Sequence, residues 1–161
     1  NTPMESFKIP FYAIATNAKT GKQIVFGQGD AGMAVRASCS IPGIFRPVII
    51  NGETYVDGGL ISPIGVREAK AYGADIIIAV DLSNADNTIP QTTVESILKA
   101  IGIMYAEISE NLRLQADIVI RPNVGYISSS DFSRKSEAIL EGERATQTMI
   151  PAIYKTIQNY K

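Results

Sequence analysis

The stretch that most constrains this chain is Asp75-Ile76-Ile77-Ile78-Ala79-Val80-Asp81-Leu82. Its centre is apolar without alternation, the pattern of a strand buried on both faces, as in a parallel sheet covered by helices. A helix is expected just before it, over Val66 to Tyr72, with Pro63 where that helix can begin. Gly73 falls at the position where a left-handed residue closes a helix. A helix feeding such a strand implies an α/β fold. The 161 residues, 45% of them hydrophobic, are consistent with one domain holding its own core, and no linker is long enough to divide them.

The remaining elements are read from local chemistry. Ile9 to Ala15 and Gln23 to Phe26 are two expected strands joined by the turn Lys19-Thr20-Gly21-Lys22. Asp30 is placed to cap a helix from about Gly32 to Ser38, with Met33, Ala34, Val35 and Ala37 expected to be buried. Ile41-Pro42-Gly43 should stop it. Val48 to Ile50 and Thr54 to Val56 flank Asn51-Gly52, a pair suited to a type I′ hairpin turn. After a polar loop over Ser83 to Pro90, helical spacing recurs from Thr93 to Gln115 through Ile97, Leu98, Ile101, Met104, Tyr105, Ile108 and Leu112. A short strand over Asp117 to Ile120 halts at Arg121-Pro122, and a Ser/Gly-rich loop over Asn123 to Ser130 follows. The last helix is expected from Ser133 to Tyr160, with a buried stripe from Ile139 to Ile157 and a kink or break at Pro151.

Composition removes several functions. Fifteen basic and sixteen acidic residues are scattered and sum to a net charge of −1, so no footprint for nucleic acid or an anionic membrane is present. The apolar runs are too short to span a bilayer. One cysteine, Cys39, excludes an internal disulfide. The chain has no histidine, so neither a Ser-His-Asp triad nor a histidine-ligated zinc site can be built from it. No acidic spacing resembles a calcium loop. No metal and no cofactor are expected.

The candidate for chemistry is Asp57-Gly58-Gly59, at the end of the second hairpin. Such a triplet is commonly only a turn. Its functional reading is a carboxylate acting as general base, beside glycines that permit positive φ and let a substrate or facing chain come close. Gly27-Gln28-Gly29-Asp30-Ala31-Gly32 literally satisfies the dinucleotide fingerprint, with Glu53 downstream. Its strand is better explained as half of a hairpin, its helix is short, and Asp30 would repel a pyrophosphate, so capping is the preferred reading. Ser38, Cys39 and Ser40 lack an evident base, and Cys39 reads as a packed, inert thiol. Asp81, Asp86 and Asp117 read as caps or solvated groups. No serine stands in G-x-S-x-G.

In order, Ala13-Ile-Ala-Thr-Asn17, Thr20-Gly21, Val25-Phe26, Gly29-Asp30, Ala34-Val-Arg-Ala-Ser38, Ile41-Pro-Gly-Ile-Phe45, Pro47-Val48, Val56-Asp-Gly-Gly-Leu60, Pro63 and Gly73-Ala-Asp75 resemble the patatin-like phospholipase family in its bacterial form. Asp117 to Pro122 and the helix holding Glu141-Gly-Glu-Arg144 are similar to its C-terminal part. The resemblance implies a three-layer α/β/α sandwich and hydrolysis of lipid acyl esters by a Ser-Asp dyad. Asp57 matches the aspartate, Gly58 and Gly59 its turn, and the absence of histidine agrees with a dyad. The family's glycine-rich oxyanion loop and G-x-S-x-G serine are not among these residues. Residues 1–161 are therefore expected to be the C-terminal part of a single patatin-like domain, inactive alone and completed by an upstream segment of the same protein. A non-catalytic interaction or regulatory domain of the same fold is the alternative. The first residue is not a methionine, so upstream sequence is expected, and any targeting signal would lie there. Nothing from Asn1 onward resembles a signal peptide, and a cytoplasmic or membrane-peripheral location is the expectation. An acyl-ester substrate and self-association through an uncovered sheet face are the expected interactions.

Overall fold

The computed structural model describes residues 2–83, 89–127 and 132–160, so Asp86 and parts of both expected polar loops lie outside the described residues. The chain has the α/β composition expected, as two compact units. The first comprises Asn1–Pro63 with Pro90–Tyr105, the second Ile64–Ile89 with Ala106–Lys161.

In the first unit, strands β1 (Ala13–Asn17), β2 (Gln23–Phe26), β3 (Val48–Ile50) and β4 (Glu53–Asp57) form an antiparallel sheet in the order β2-β1-β4-β3. Both expected hairpins are present. Asn17 starts the first turn, its Oδ1 accepting the amides of Lys19 and Thr20 at 3.0 and 2.9 Å. In the second, Asn51 and Gly52 have φ of 51° and 81°, the two left-handed residues a type I′ turn needs. The first strand starts later than expected. Pro10 has no N–H for a ladder and Ile9 stands in solvent, so pairing begins at Ala13.

Helix α1 (Ala31–Ser38) is capped by Asp30, whose Oδ1 accepts the amides of Gly32 and Met33 at 2.8 and 3.3 Å. Ala34 and Ala37 supply its buried face, which leaves Val35 exposed rather than buried as expected. The core beneath it joins Ala15, Ala37, Val48 and Tyr55 to Ile24, Phe26, Met33 and Ile50. Phe26 meets Tyr55 edge-on at 5.2 Å.

In the second unit, helix α2 (Val66–Ala71) ends in a Schellman motif. The amide of Gly73 bonds to the Lys70 carbonyl and that of Ala74 to the Ala69 carbonyl, with Gly73 at φ 88°. Strand β5 (Ile78–Val80) pairs in parallel with β6 (Ile118–Ile120), as the apolar run suggested. The expectation of burial on both faces is corrected. Ile77, Ala79 and Asp81 are buried, whereas Ile78, Val80 and Leu82 are 43%, 54% and 60% exposed. Val66, Ile64, Ala69 and Ala116 pack with Ile77 and Ala79, so one face has a core and the other does not.

Helix α3 (Thr93–Arg113) contributes residues to both units, the boundary falling after Tyr105. Helix α4 (Lys135–Asn159) continues without interruption through Pro151, so the helix is not split. Its expected buried stripe is also corrected. None of its residues is buried, and Ile139, Leu140, Ile150, Tyr154 and Ile157 are exposed. No helix among the described residues is long and apolar enough to cross a membrane.

Candidate active site

Asp57 is the last residue of β4, and both its amide and its carbonyl are held. Its amide donates to the Ser40 carbonyl at 3.0 Å, and its own carbonyl accepts from the Thr16 hydroxyl at 3.0 Å. Register opposite Ala15 fixes it at the end of the β1–β4 ladder. The chain then turns into a single 3-10 turn over Gly58–Leu60, and the Asp57 carboxylate caps it. Its Oδ1 accepts the Gly59 amide at 2.7 Å. The residue that offers a base is thus also the residue that shapes the turn.

Of the two uses expected of these glycines, positive φ and close approach, only the second is found. Neither Gly58 nor Gly59 has positive φ. Both are needed for close approach. A Cβ on Gly58 would stand 2.2 Å from the Ile14 carbonyl oxygen and 2.6 Å from its carbon, inside the backbone of β1. A Cβ on Gly59 would stand 2.6 to 2.9 Å from the ring and hydroxyl of Tyr105. Gly58 lets the turn lie on the sheet, and Gly59 admits an aromatic ring.

That ring belongs to a residue the sequence marked only as part of an apolar stripe. The Tyr105 hydroxyl donates to Asp57 Oδ1 at 3.1 Å. Both donors therefore converge on one carboxylate oxygen. Burial pushes the Asp57 carboxyl above its usual range, while the Gly59 amide and Tyr105 hydroxyl pull it back down. The Tyr105 phenol is held well above its ordinary value by burial and by the Asp57 charge, so it stays a donor. The group is a partly desolvated carboxylate with neutral hydrogen-bond donors, which suits a general base.

The nucleophile-rich segment lies beside it without supplying a nucleophile. Ser40 is buried, and its hydroxyl donates to the Arg36 carbonyl at 2.7 Å. Cys39 is exposed at the end of α1, not packed as expected, because it follows the last helical residue. Its thiol is nonetheless pushed up, first by partial burial and then by the Asp57 charge, which keeps it protonated.

The glycine fingerprint is a cap in this structure. Strand β2 belongs to an antiparallel hairpin, and the Gly29 amide is taken by the Glu5 carboxylate at 2.8 Å. With Asp30 on Gly32 and Met33, the chain's own carboxylates hold these amides. In the second unit Asp81 is neither solvated nor a simple cap. It is buried, accepts the Ser83 amide and hydroxyl at 2.9 and 2.6 Å, and pairs with Arg113 at 2.6 Å. Asp117 accepts the Ile77 amide at 2.8 Å and so ties the approach to β5 to that of β6.

Comparison of the sequence with known proteins finds the following likenesses. Residues 6–70 match the model of the patatin-like phospholipase family. The chain is 32% identical over 130 residues to lysophospholipase NTE1 of Pyricularia oryzae, covering 80% of this chain and 9% of that protein. It is 30% identical over 142 residues to lysophospholipase NTE1 of Saccharomyces cerevisiae, covering 85% and 8%. An uncharacterized NTE family protein of Mycobacterium tuberculosis is 35% identical over 83 residues, covering 52% and 23%. The chain thus spans less than a quarter of the length of each of these relatives. Residues 6–70, which carry Asp57, Gly58 and Gly59, belong to the patatin-like phospholipase family.

Proposed function

We propose that this chain is part of a serine hydrolase of lipid acyl esters, in which Asp57 is the general base of a Ser-Asp dyad. Lysophospholipids are the substrate class suggested by the relatives' names. The two units are read as the C-terminal part of one patatin-like domain. The serine comes from sequence outside these residues, since no G-x-S-x-G occurs among them.

The observation that carries the reading is the state of the Asp57 carboxylate. Oδ1 is committed to the Gly59 amide and the Tyr105 hydroxyl, while Oδ2 has no partner among the described residues. Oδ2 takes the proton of the serine hydroxyl as its oxygen attacks the ester carbonyl. The tetrahedral intermediate then collapses, breaking the bond to the alcohol oxygen, which leaves with the proton held by Asp57. Water attacks the acyl-serine, giving its proton to Asp57, and the fatty acid departs as serine recovers a proton. A carboxylate raised by burial is the more effective acceptor.

The test compares this chain with the longer protein that includes the upstream segment, using a lysophospholipid and a soluble acyl ester. The isolated chain should release no fatty acid, and the longer protein should. Hydrolysis by the isolated chain would contradict the reading. A longer protein that folds, binds lipid and never hydrolyses it would favour a non-catalytic domain of this fold.

A further inference from the structure

We infer that Tyr105 is a positioning residue for the base, holding the plane of the Asp57 carboxylate so that one oxygen faces the nucleophile. The inference rests on the reading of Asp57 as general base. The two oxygens of a carboxylate are equivalent, but its plane can turn about the last side-chain bond and aim its free lone pairs away from a nucleophile. One donor, the Gly59 amide at 2.7 Å, lies in the carboxylate's own turn. The second comes from 48 residues further along the chain, the Tyr105 hydroxyl at 3.1 Å, and reaches the same oxygen. With two donors on one oxygen, turning the plane away from them would weaken both bonds at once, so the other oxygen stays presented.

A second observation is independent of the hydrogen bond. The Tyr105 ring fills the space where any side chain at position 59 would begin, with ring and hydroxyl atoms 2.6 to 2.9 Å from an ideal Cβ. The absence of a side chain at Gly59 and the presence of a ring at Tyr105 are therefore one arrangement. The second glycine of Asp-Gly-Gly gives the phenol its path to the carboxylate. A phenylalanine would fill the same space but leave Oδ1 with one donor.

Among the described residues, the titratable groups facing Asp57 are the Tyr105 phenol from α3 and the Cys39 thiol from the end of α1. Both are neutral at working pH, since both are pushed above their ordinary values. Tyr105 stabilises the charged carboxylate, so its loss should raise the pH at which Asp57 gains a proton. Activity that needs the ionised base would then fail at a higher pH on the acid side.

The experiment measures pH profiles of kcat and KM for the full-length protein as wild type, Tyr105→Phe, Gly59→Ala and Asp57→Asn. Tyr105→Phe should lower kcat on the order of tenfold with KM nearly unchanged, and move the acid limb up by about one pH unit. Gly59→Ala, which pushes the ring away, should shift the limb in the same direction. If Asp57→Asn is inactive while Tyr105→Phe keeps both kcat and the acid limb of wild type, the positioning role is overturned and the base survives. If Asp57→Asn stays active, the base itself is overturned, and with it the role of Tyr105. A Tyr105→Phe that melts like wild type yet shows the shifted limb separates positioning from a packing defect.

Discussion

Asp57 and Asp81 are both aspartates at the end of a strand, one in each unit, and they are held in opposite ways. Asp57 is half-buried and, among the described residues, meets only neutral donors, the Gly59 amide and the Tyr105 phenol. Its carboxyl is pushed up, because burial outweighs those bonds. Asp81 is fully buried, yet its carboxyl is held below the usual range. Burial raises it, but the Ser83 hydroxyl and amide and the Arg113 guanidinium outweigh that. Arg121 adds a second cation at 3.7 Å. A cation partner spends a carboxylate's basicity on structure. Neutral donors orient it and leave the basicity for chemistry.

The largest expected effect on stability lies at the second carboxylate. Arg113→Met leaves Asp81 buried without its main counter-charge and should cost about 3–5 kcal/mol in denaturant unfolding. A loss below about 1 kcal/mol would place Asp81 among ordinary surface pairs, against the contrast drawn with Asp57. Next is Gly58→Ala, whose Cβ would fall within the β1 backbone. Backbone cannot turn aside as a side chain can, so a loss of about 1–3 kcal/mol is expected. Gly59→Ala meets a ring that can move, and should cost less stability than Gly58→Ala.

These positions also mark what the sequence disclosed. Asn51-Gly52, Asp30 and Gly73 each act within a few residues, so their turn and caps are legible from local chemistry. Asp57-Gly58-Gly59 was legible as a candidate for the same reason. The use of its glycines was not, because it depends on Ile14 and Tyr105, which lie far away in sequence. Tyr105 carried a signal only in hindsight, as the single hydroxyl in the apolar stripe of α3. Asp81 looked like a loop acid because its partner Arg113 is 32 residues distant. The stripe of α4 had the helical spacing, and β5 the unbroken apolar run, of buried elements, but that stripe and the outer side of β5 are exposed in this chain. Periodicity reports a face suited to burial and does not say what covers it. Those exposed faces should make the isolated chain self-associate, which light scattering over a concentration series would detect as mass rising above the monomer.

The pH dependence of stability should separate the two carboxylates in sign. A depressed carboxyl such as Asp81 stabilises the fold above the ordinary value near pH 4 and loses that as pH falls through its lowered value. A raised carboxyl such as Asp57 does the reverse. Its contribution is full below about pH 4 and is lost as pH rises through the raised value. Asp81→Asn should therefore melt lower than wild type at neutral pH. Asp57→Asn, which keeps an acceptor for Gly59 and Tyr105 without the buried charge, should melt at or slightly above wild type. A lower melting temperature for Asp57→Asn at pH 7 and an unchanged one for Asp81→Asn would invert the comparison.

The central claim is that the carboxylate of Asp57 is the proton acceptor in ester hydrolysis. The direct measurement is kcat of the full-length protein on a lysophospholipid, for wild type and Asp57→Asn, with thermal melts confirming that both are folded. The account predicts a folded Asp57→Asn protein with kcat reduced by about a thousandfold or more. A folded Asp57→Asn protein that hydrolyses the ester at the wild-type rate would contradict it.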